Sequence, residues 1–399
     1  MCRLLFACCL LVVLGLSSLV SAEPLPVYIL AGQSNMQGHA HVRTFAHMGM
    51  DPATKPLLDK FVDAAGEPRV YEDVWVSTLG SWREEGAGPL SAKFGADRGG
   101  PKVGPELAFG ITMHEHHRRP ILLIKTAWGG KSLSVDFRPE SAGPYKAGLV
   151  PDADEKKRQQ IVQIEAQRNA VAGTYYRKMI GHVTKVLADI KAVYPAYDAE
   201  AGYEVKGFIW FQGASDFGDF TTYADPGGET GYNEHTRLLA CLINDVRKET
   251  KSPSMQAVVG TVGISGEMET ERVRQMEEHH RPWVVKLRDA QAAVAELPEF
   301  KGQVAIVRTE DYWDPQLEEL QGRWKHIKAK NGELKALKLP RDEYQQRIDA
   351  FVKTIYSDQE WELMEKGVSN AAYHYMGSAK IYSQIGEALA EAMIGLEVK

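Results

Sequence analysis

Two residues in this chain have the types that ester chemistry needs. Ser34 stands in Gly32-Gln33-Ser34-Asn35-Met36, and His374 stands far downstream in Tyr373-His374-Tyr375-Met376-Gly377. A serine hydroxyl becomes a nucleophile when a base takes its proton, and imidazole, which titrates near neutrality, is the natural base. The oxyanion formed by that attack needs N–H donors. The glycines of Trp128-Gly129-Gly130-Lys131 allow backbone to approach a ligand closely, and Gln212 in Trp210-Phe211-Gln212-Gly213 carries a side-chain amide. Plainer roles compete for each. Ser34 can cap a helix, the glycines can make a structural turn, His374 can pack or cap, and Gln212 can satisfy loop backbone.

These residues need a scaffold that brings them to one place. Val27-Tyr28-Ile29-Leu30-Ala31 is an apolar run that stops in the Ser34 turn, Ile121 to Thr126 stops before Gly129-Gly130, and Gly207 to Phe211 stops before Gln212. Short apolar runs ending in polar turns read as buried parallel strands. Val70 to Thr78, Gln256 to Val262 and Gln303 to Arg308 add further strands, while Gly86 to Gly104, rich in Gly, Pro and Ser, reads as a long loop. Helical periodicity falls between the strands: a helix starting at Gly104-Pro105-Glu106, then Asp152 to Val193, His235 to Lys248, and Glu267 to Glu296. Alternating strands and helices indicate a parallel sheet covered on both faces, and such sheets place their ligand crevice at the carboxyl edge. Ser34, Gly130 and Gln212 converge there. His374 precedes a closing amphipathic helix with Ile381, Ile385, Leu389 and Met393 at i, i+4 spacing, and can reach the same edge.

Length and composition bound the alternatives. The 399 residues suit one large α/β domain with insertions, or two domains; 44% apolar and 25% charged residues are ordinary for a globular protein. A net charge of −6 argues against nucleic acid as the main partner. Residues 1–22 read as a signal peptide: Arg3, a largely apolar Leu4 to Val20, then the small residues Ser21 and Ala22. A retained membrane anchor, or a lipid on Cys8 or Cys9, is the alternative. After cleavage only Cys241 remains, in an apolar helical face, so an intrachain disulfide is excluded and a buried thiol is expected. The expected location is secreted or periplasmic, in a domain spanning residues 23–399. From about residue 312 to 365 the chain turns to charged helical segments, read as a helical insertion with a solvated face.

One motif invites a metal. His114-Glu115-His116-His117 closes the helix before Pro120, but His114 and His117 are spaced i, i+3, whereas a metalloprotease helix pairs histidines at i, i+4. Imidazoles at a helix C-terminus follow from the helix dipole alone. No metal and no cofactor is expected.

Gly32-Gln33-Ser34-Asn35-Met36 resembles the first block of the SGNH hydrolases, in the branch of sialate O-acetylesterases and family-6 carbohydrate esterases. Tyr373-His374-Tyr375-Met376-Gly377-Ser378-Ala379 resembles the histidine block that closes that domain, and Trp210-Phe211-Gln212-Gly213 its third block. The resemblance covers most of residues 25 to 395, though only three or four short blocks are diagnostic. It implies a three-layer α/β/α sandwich with flavodoxin-like strand order, Ser34 as nucleophile and His374 as base. It also implies an oxyanion hole from Ser34, Gly130 (or its neighbour Gly129) and the Gln212 amide. Gln33 and Trp128 are expected at the substrate, with Trp82 and Tyr373 as further rings able to stack on sugar. The acid departs from the family pattern. Ala371 occupies the position three before the histidine, where many relatives have Asp, and Ala214 follows Gln-Gly, where others have Glu. Asp216 is the nearest carboxylate to complete a triad, with a Ser–His dyad or a surface role for Asp216 as alternatives.

The expected activity is hydrolysis of O-acetyl groups on carbohydrate, with acetylated xylan-type polysaccharide and O-acetylated sialic acid both compatible. A glycan-binding protein that kept the fold and lost its acid is the competing reading. A lipase or thioesterase is disfavoured, because no apolar lid-like segment adjoins Ser34 and Met36 replaces the second glycine of a Gly-x-Ser-x-Gly elbow.

Overall fold

The computed structural model describes residues 23–81, 85–96, 99–148, 154–267 and 281–398. The leader expected at 1–22, Trp82 and the first part of the 267–296 segment lie outside them. Seven strands form the main sheet: β1 (Leu25–Gly32), β2 (Tyr71–Gly80), β3 (Gly86–Leu90), β4 (Ile121–Ala127), β5 (Tyr203–Phe211), β6 (Gln256–Gly260) and β7 (Val304–Val307). Their order is β3-β2-β4-β1-β5-β6-β7, with every pairing parallel except β2 with β3. Leaving out the β2–β3 hairpin at the edge, the remaining five strands follow the flavodoxin-like order 2-1-3-4-5.

The sheet carries a helical layer on each face. The longer helices are α1 (Glu106–His117), α2 (Glu155–Val171), α3 (Thr174–Ala188), α4 (Asn233–Glu249), α5 (Arg281–Ala292), α6 (Pro315–Ala336), α7 (Arg341–Ile355), α8 (Asp358–Gly367) and α9 (Ala379–Glu397). Successive strand side chains point to opposite faces. Tyr28 and Leu30 of β1 accordingly join one core with α1 and α9, while Val27, Ile29 and Ala31 join another with α3 and α4. Both faces are apolar, which is why β1 and β4 read as continuous hydrophobic runs: every residue of each strand is buried.

Strand register positions the site. Gly32 pairs with Ala127 of β4 and with Phe211 of β5, so three neighbouring strands end at one level. The turns at Ser34, Trp128–Gly130 and Gln212 therefore open side by side. They do so where the chain order reverses around β1, the switch point at which doubly wound sheets bind ligands.

Two local expectations are corrected. Within Gly86 to Gly104, Gly86–Leu90 is an antiparallel edge strand, and Lys102–Val103 pairs with Ala40–His41. Pro89 is tolerated because an edge strand has a side that needs no N–H, and that composition hides the strand from a periodicity reading. Cys241 is half-buried, since α4 turns that position toward its rim. The charged segment forms α6, α7 and α8, with Leu317, Leu320, Ile327, Leu334, Val352 and Met364 buried. Among the described residues no helix is long and apolar enough to cross a membrane.

Candidate active site

Ser34 opens a single helical turn, Ser34–Gln37, directly after β1. The chain reverses tightly at Gly32, where a Cβ would lie 2.1 Å from the Phe211 carbonyl oxygen, so the position accepts only glycine. Beneath the turn lies a buried cation. Lys125 Nζ donates to the Gln37 carbonyl at 2.9 Å, to the Phe94 carbonyl at 2.9 Å and to Glu106 Oε2 at 2.6 Å. The Ser34 hydroxyl makes no hydrogen bond to another described residue. Gln33, expected at the substrate, instead joins two turns of the scaffold. Its amide oxygen accepts from the N–H of Gly213 at 3.2 Å and of Ser215 at 3.1 Å, which fastens the turn after β1 to the turn after β5.

Asn35 docks the histidine loop onto the serine turn. Its Nδ2 donates to the Tyr373 carbonyl at 3.2 Å, and its Oδ1 accepts from the Tyr382 hydroxyl at 2.9 Å. The loop itself is closed on itself, with the Met376 carbonyl accepting from the N–H groups of both Ser369 and Asn370 at 2.9 Å. Closure holds Tyr375 and Met376 at φ 47 and 58, a left-handed conformation costly for side-chain-bearing residues. Tyr375 anchors the strained pair by its hydroxyl, which accepts from Gly263 N–H at 2.9 Å and shares a hydrogen bond with Thr309 at 2.7 Å.

The partner of His374 is an amide. His374 Nδ1 lies 3.0 Å from Asn370 Oδ1, and the same oxygen accepts from the Ala371 N–H at 2.8 Å. A backbone N–H needs an acceptor, so it fixes the oxygen end of the Asn370 amide at this point. His374 Nδ1 must then carry the proton, which leaves the lone pair on Nε2. That is the tautomer a general base requires. On its face the ring stacks against His39, with centroids 3.8 Å apart and planes within 4°. Burial, helped by the positive charge of Lys102, holds His374 down at about 4, and burial takes His39 to about 3. Both rings are neutral at neutral pH.

Asp216 is corrected. Its Oδ2 accepts from Leu133 N–H at 2.7 Å and from Gln212 Nε2 at 2.6 Å; its Oδ1 accepts from Ser134 N–H at 3.0 Å and from the Tyr223 hydroxyl at 3.1 Å. Four donors occupy this fully buried carboxylate, and none belongs to His374. It tethers the segment after Gly129-Gly130 to the turn after β5. Gln212 is corrected with it. Its Nε2 donates to Asp216 and to the Lys131 carbonyl at 3.1 Å, which uses both amide hydrogens, and its buried oxygen has no partner among the described residues. Turning the amide over would set that oxygen against a carboxylate and a carbonyl, so Gln212 has no N–H left for an oxyanion.

Gly129 and Gly130 divide their work. A Cβ on Gly129 would come 3.8 Å from Ser34 Cβ, and the Gly129 N–H is held by Ser81 Oγ at 2.8 Å. Gly130, at φ +70, has open space where a Cβ would be. Trp128 is not at the surface. It is 5% exposed and packs edge-on against Tyr175, with centroids 5.2 Å apart, so the expected substrate ring is a core ring. Tyr373 is 60% exposed beside His374. On the outer flank of the histidine loop lies a cavity of about 750 Å³, lined by Asn370 and Ala372 on one side and by Trp324, Lys325, Lys328 and Trp361 of the helical insertion on the other. Gln321 of α6 also donates to the Asn370 carbonyl, so the insertion braces the loop.

Three residues of this arrangement, Asn370, Asn35 and His39, escape a reading of the sequence. Asn370 lies four residues before His374, where a search for a carboxylate finds only an amide. Asn35 and His39 flank Ser34, but their partners come from the far end of the chain.

The chain matches the family described as carbohydrate esterase, sialic acid-specific acetylesterase, over residues 24–299. That span holds Ser34, Gly130, Gln212 and Asp216 and ends before the helical insertion and His374. None of the curated proteins is similar to it in sequence. Among solved structures, a protein from Arabidopsis thaliana is 15% identical, with 93% of this chain and 98% of that chain covered at a TM-score of 0.46. A carbohydrate acetylesterase from Xanthomonas citri is 13% identical, with 70% of this chain and 49% of that chain covered at a TM-score of 0.37. With more than half of its length matched, the chain belongs to the carbohydrate esterase family of sialic acid-specific acetylesterases.

Proposed function

We propose that this protein is a serine esterase that removes O-acetyl groups from carbohydrate, working with an Asn370–His374–Ser34 relay, and that it acts outside the cytoplasm after loss of residues 1–22. The observation that carries the reading is the fixed tautomer of His374: Asn370 Oδ1 accepts its Nδ1 proton, which leaves the Nε2 lone pair to serve as base, and Asn35 docks the histidine loop onto the Ser34 turn. Ser34 Oγ attacks the acetyl carbonyl carbon and its proton passes to Nε2. The imidazolium then protonates the departing sugar oxygen, and water, activated by the same nitrogen, hydrolyses the acetyl-serine. Oxyanion donors in this reading are the backbone N–H groups of Ser34 and Gly130. No cofactor is required.

The sugar beyond the acetyl group has aromatic surface beside the site. Tyr373 is exposed, and the groove carrying Trp324 and Trp361 runs along the back of Asn370. Stacking rings beside polar groups suit a glycan chain. The competing reading, a glycan-binding protein without activity, rests on the missing acid; an amide that orients the histidine removes the need for one. Release of acetate from 4-nitrophenyl acetate and from an acetylated xylan decides between them. Activity abolished by Ser34→Ala and by His374→Ala supports the esterase. A folded protein no faster than its Ser34→Ala variant on either substrate would leave only glycan binding.

A further inference from the structure

The histidine motif at the end of α1 acquires a third ligand that its sequence neighbourhood does not contain. His114 turns away toward Asp73, 3.8 Å distant. His116 and His117 instead face Glu397, in the last turn of α9. Glu397 Oε2 is 3.4 Å from His117 Nε2 and 3.8 Å from His116 Nε2, and one ligand atom from each of the three residues lies within 4.8 Å of the others. A tetrahedral zinc ion with bonds of about 2.0–2.1 Å sets its ligand atoms about 3.3–3.4 Å apart. The His117–Glu397 edge, at 3.4 Å, has that spacing, the His116–Glu397 edge, at 3.8 Å, is slightly long, and the His116–His117 edge, within 4.8 Å, closes as the ion binds. Two imidazoles and a carboxylate are a donor set that zinc accepts.

We propose that His116, His117 and Glu397 bind one zinc(II) ion that clamps the end of the final helix to the end of α1, at the amino edge of the sheet. The surroundings provide the support a bound ion needs. Tyr28, from the middle of β1, donates its hydroxyl to Glu397 Oε1 at 2.6 Å, leaving Oε2 for the metal. That phenol is also 2.6 Å from His117 Nε2. Nε2 has one bonding direction, so binding breaks the Tyr28–His117 hydrogen bond: the His117 ring turns, any Nε2 proton moves to Nδ1, Nε2 takes the ion, and Tyr28 keeps its bond to Glu397 Oε1 as an outer-shell partner. The side chains of His117 and Glu397 are 9% exposed and that of His116 is 32% exposed, so the site is anchored on one side and open to solvent on the other. The fourth position falls to water. Arg119, a guanidinium on this rim, is directed to Glu23 at 3.2 Å and to the Pro24 carbonyl at 2.6 Å.

The test uses the full protein freed of metal by chelator and titrated calorimetrically with zinc chloride at pH 7.5. One ion per chain is expected, at least about tenfold weaker in His116→Ala and in Glu397→Gln, and unaffected by millimolar magnesium. Zinc should also raise the unfolding temperature of the parent protein and not that of either variant. Binding that is absent, or that survives unchanged in both variants, overturns the proposal and leaves the cluster as a hydrogen-bonded network. Because His116 is partly exposed and Gln matches Glu in shape, at least one variant will fold. A variant carrying Ser34→Ala should bind zinc like the parent protein, which separates this site from the esterase reading.

Discussion

His374 and His117 stand at opposite ends of the same sheet, and each is held by a hydrogen bond from a distant or neighbouring side chain. At the carboxyl edge His374 leans on the neutral amide of Asn370. At the amino edge His117 faces a carboxylate, Glu397, with Tyr28 between them. A carboxylate–histidine pair is thus present, but at the amino edge, away from Ser34 and His374. Burial keeps both imidazoles at about 4, so neither partner decides the resting charge. What the partner decides is the response to a new charge. A carboxylate stabilises a cation that arrives beside it, whether a metal ion or a proton. An amide orients the ring and its tautomer without adding charge.

The largest effect expected at the carboxyl edge is on chemistry. Ser34→Ala and His374→Ala should each lower kcat on 4-nitrophenyl acetate by at least about 10³-fold in a folded protein, as loss of a nucleophile or its base does. Next, Asn370→Ala should cost about 10²-fold in kcat with little change in KM, because the ring loses its orientation. Asp216→Asn should instead lower stability by about 1–3 kcal/mol in a denaturant melt, since it weakens a carboxylate on which four donors converge. Reversal of those two outcomes, with Asp216→Asn the worse for kcat at full stability, would restore Asp216 as the acid.

The pH profile tests the amide more finely. A base must be deprotonated to act, so a His374 held at about 4 puts the acid limb of kcat/KM near pH 4, well below the ordinary histidine range. Asn370→Asp places a negative charge 3.0 Å from Nδ1 and favours imidazolium, so the limb should move up by about 1–3 pH units. An unmoved limb would mean that His374 is not the titrating base. A smaller effect on rate but a clear one on stability is expected from Lys125→Met, which strands Glu106 as a buried charge. About 3–5 kcal/mol should be lost in the same melt, and the Ser34 turn loses its support with it.

Much of this is legible from residue type and local pattern. Apolar runs ending in Gly-Gln-Ser-Asn, Trp-Gly-Gly and Gln-Gly mark β1, β4 and β5, because buried strands and their turns have local signatures. Ser34 and His374 are singled out by residue type, as the hydroxyl and imidazole that the proposed chemistry would use. The edge strand at Gly86–Leu90 escapes because its pairing, not its composition, makes it a strand. Gln33, Gln212, Asp216 and Trp128 belong to the right turns, yet their side chains face neighbouring turns or the core.

By itself, then, the sequence determined the sheet and its carboxyl-edge turns, and it singled out Ser34 and His374 as candidates, since strand formation and acid–base chemistry depend on nearby residues and intrinsic side-chain properties. Only the tertiary structure decided which partners those residues meet. Asn370 orients His374 because the 369–377 loop closes on Met376, and Asp216 is withdrawn because four donors from three segments reach it first. Glu397 reaches His116 and His117 because α1 and α9 end on the same rim of the sheet. Such encounters are set by the register and packing of elements far apart in the chain, and no local pattern records them.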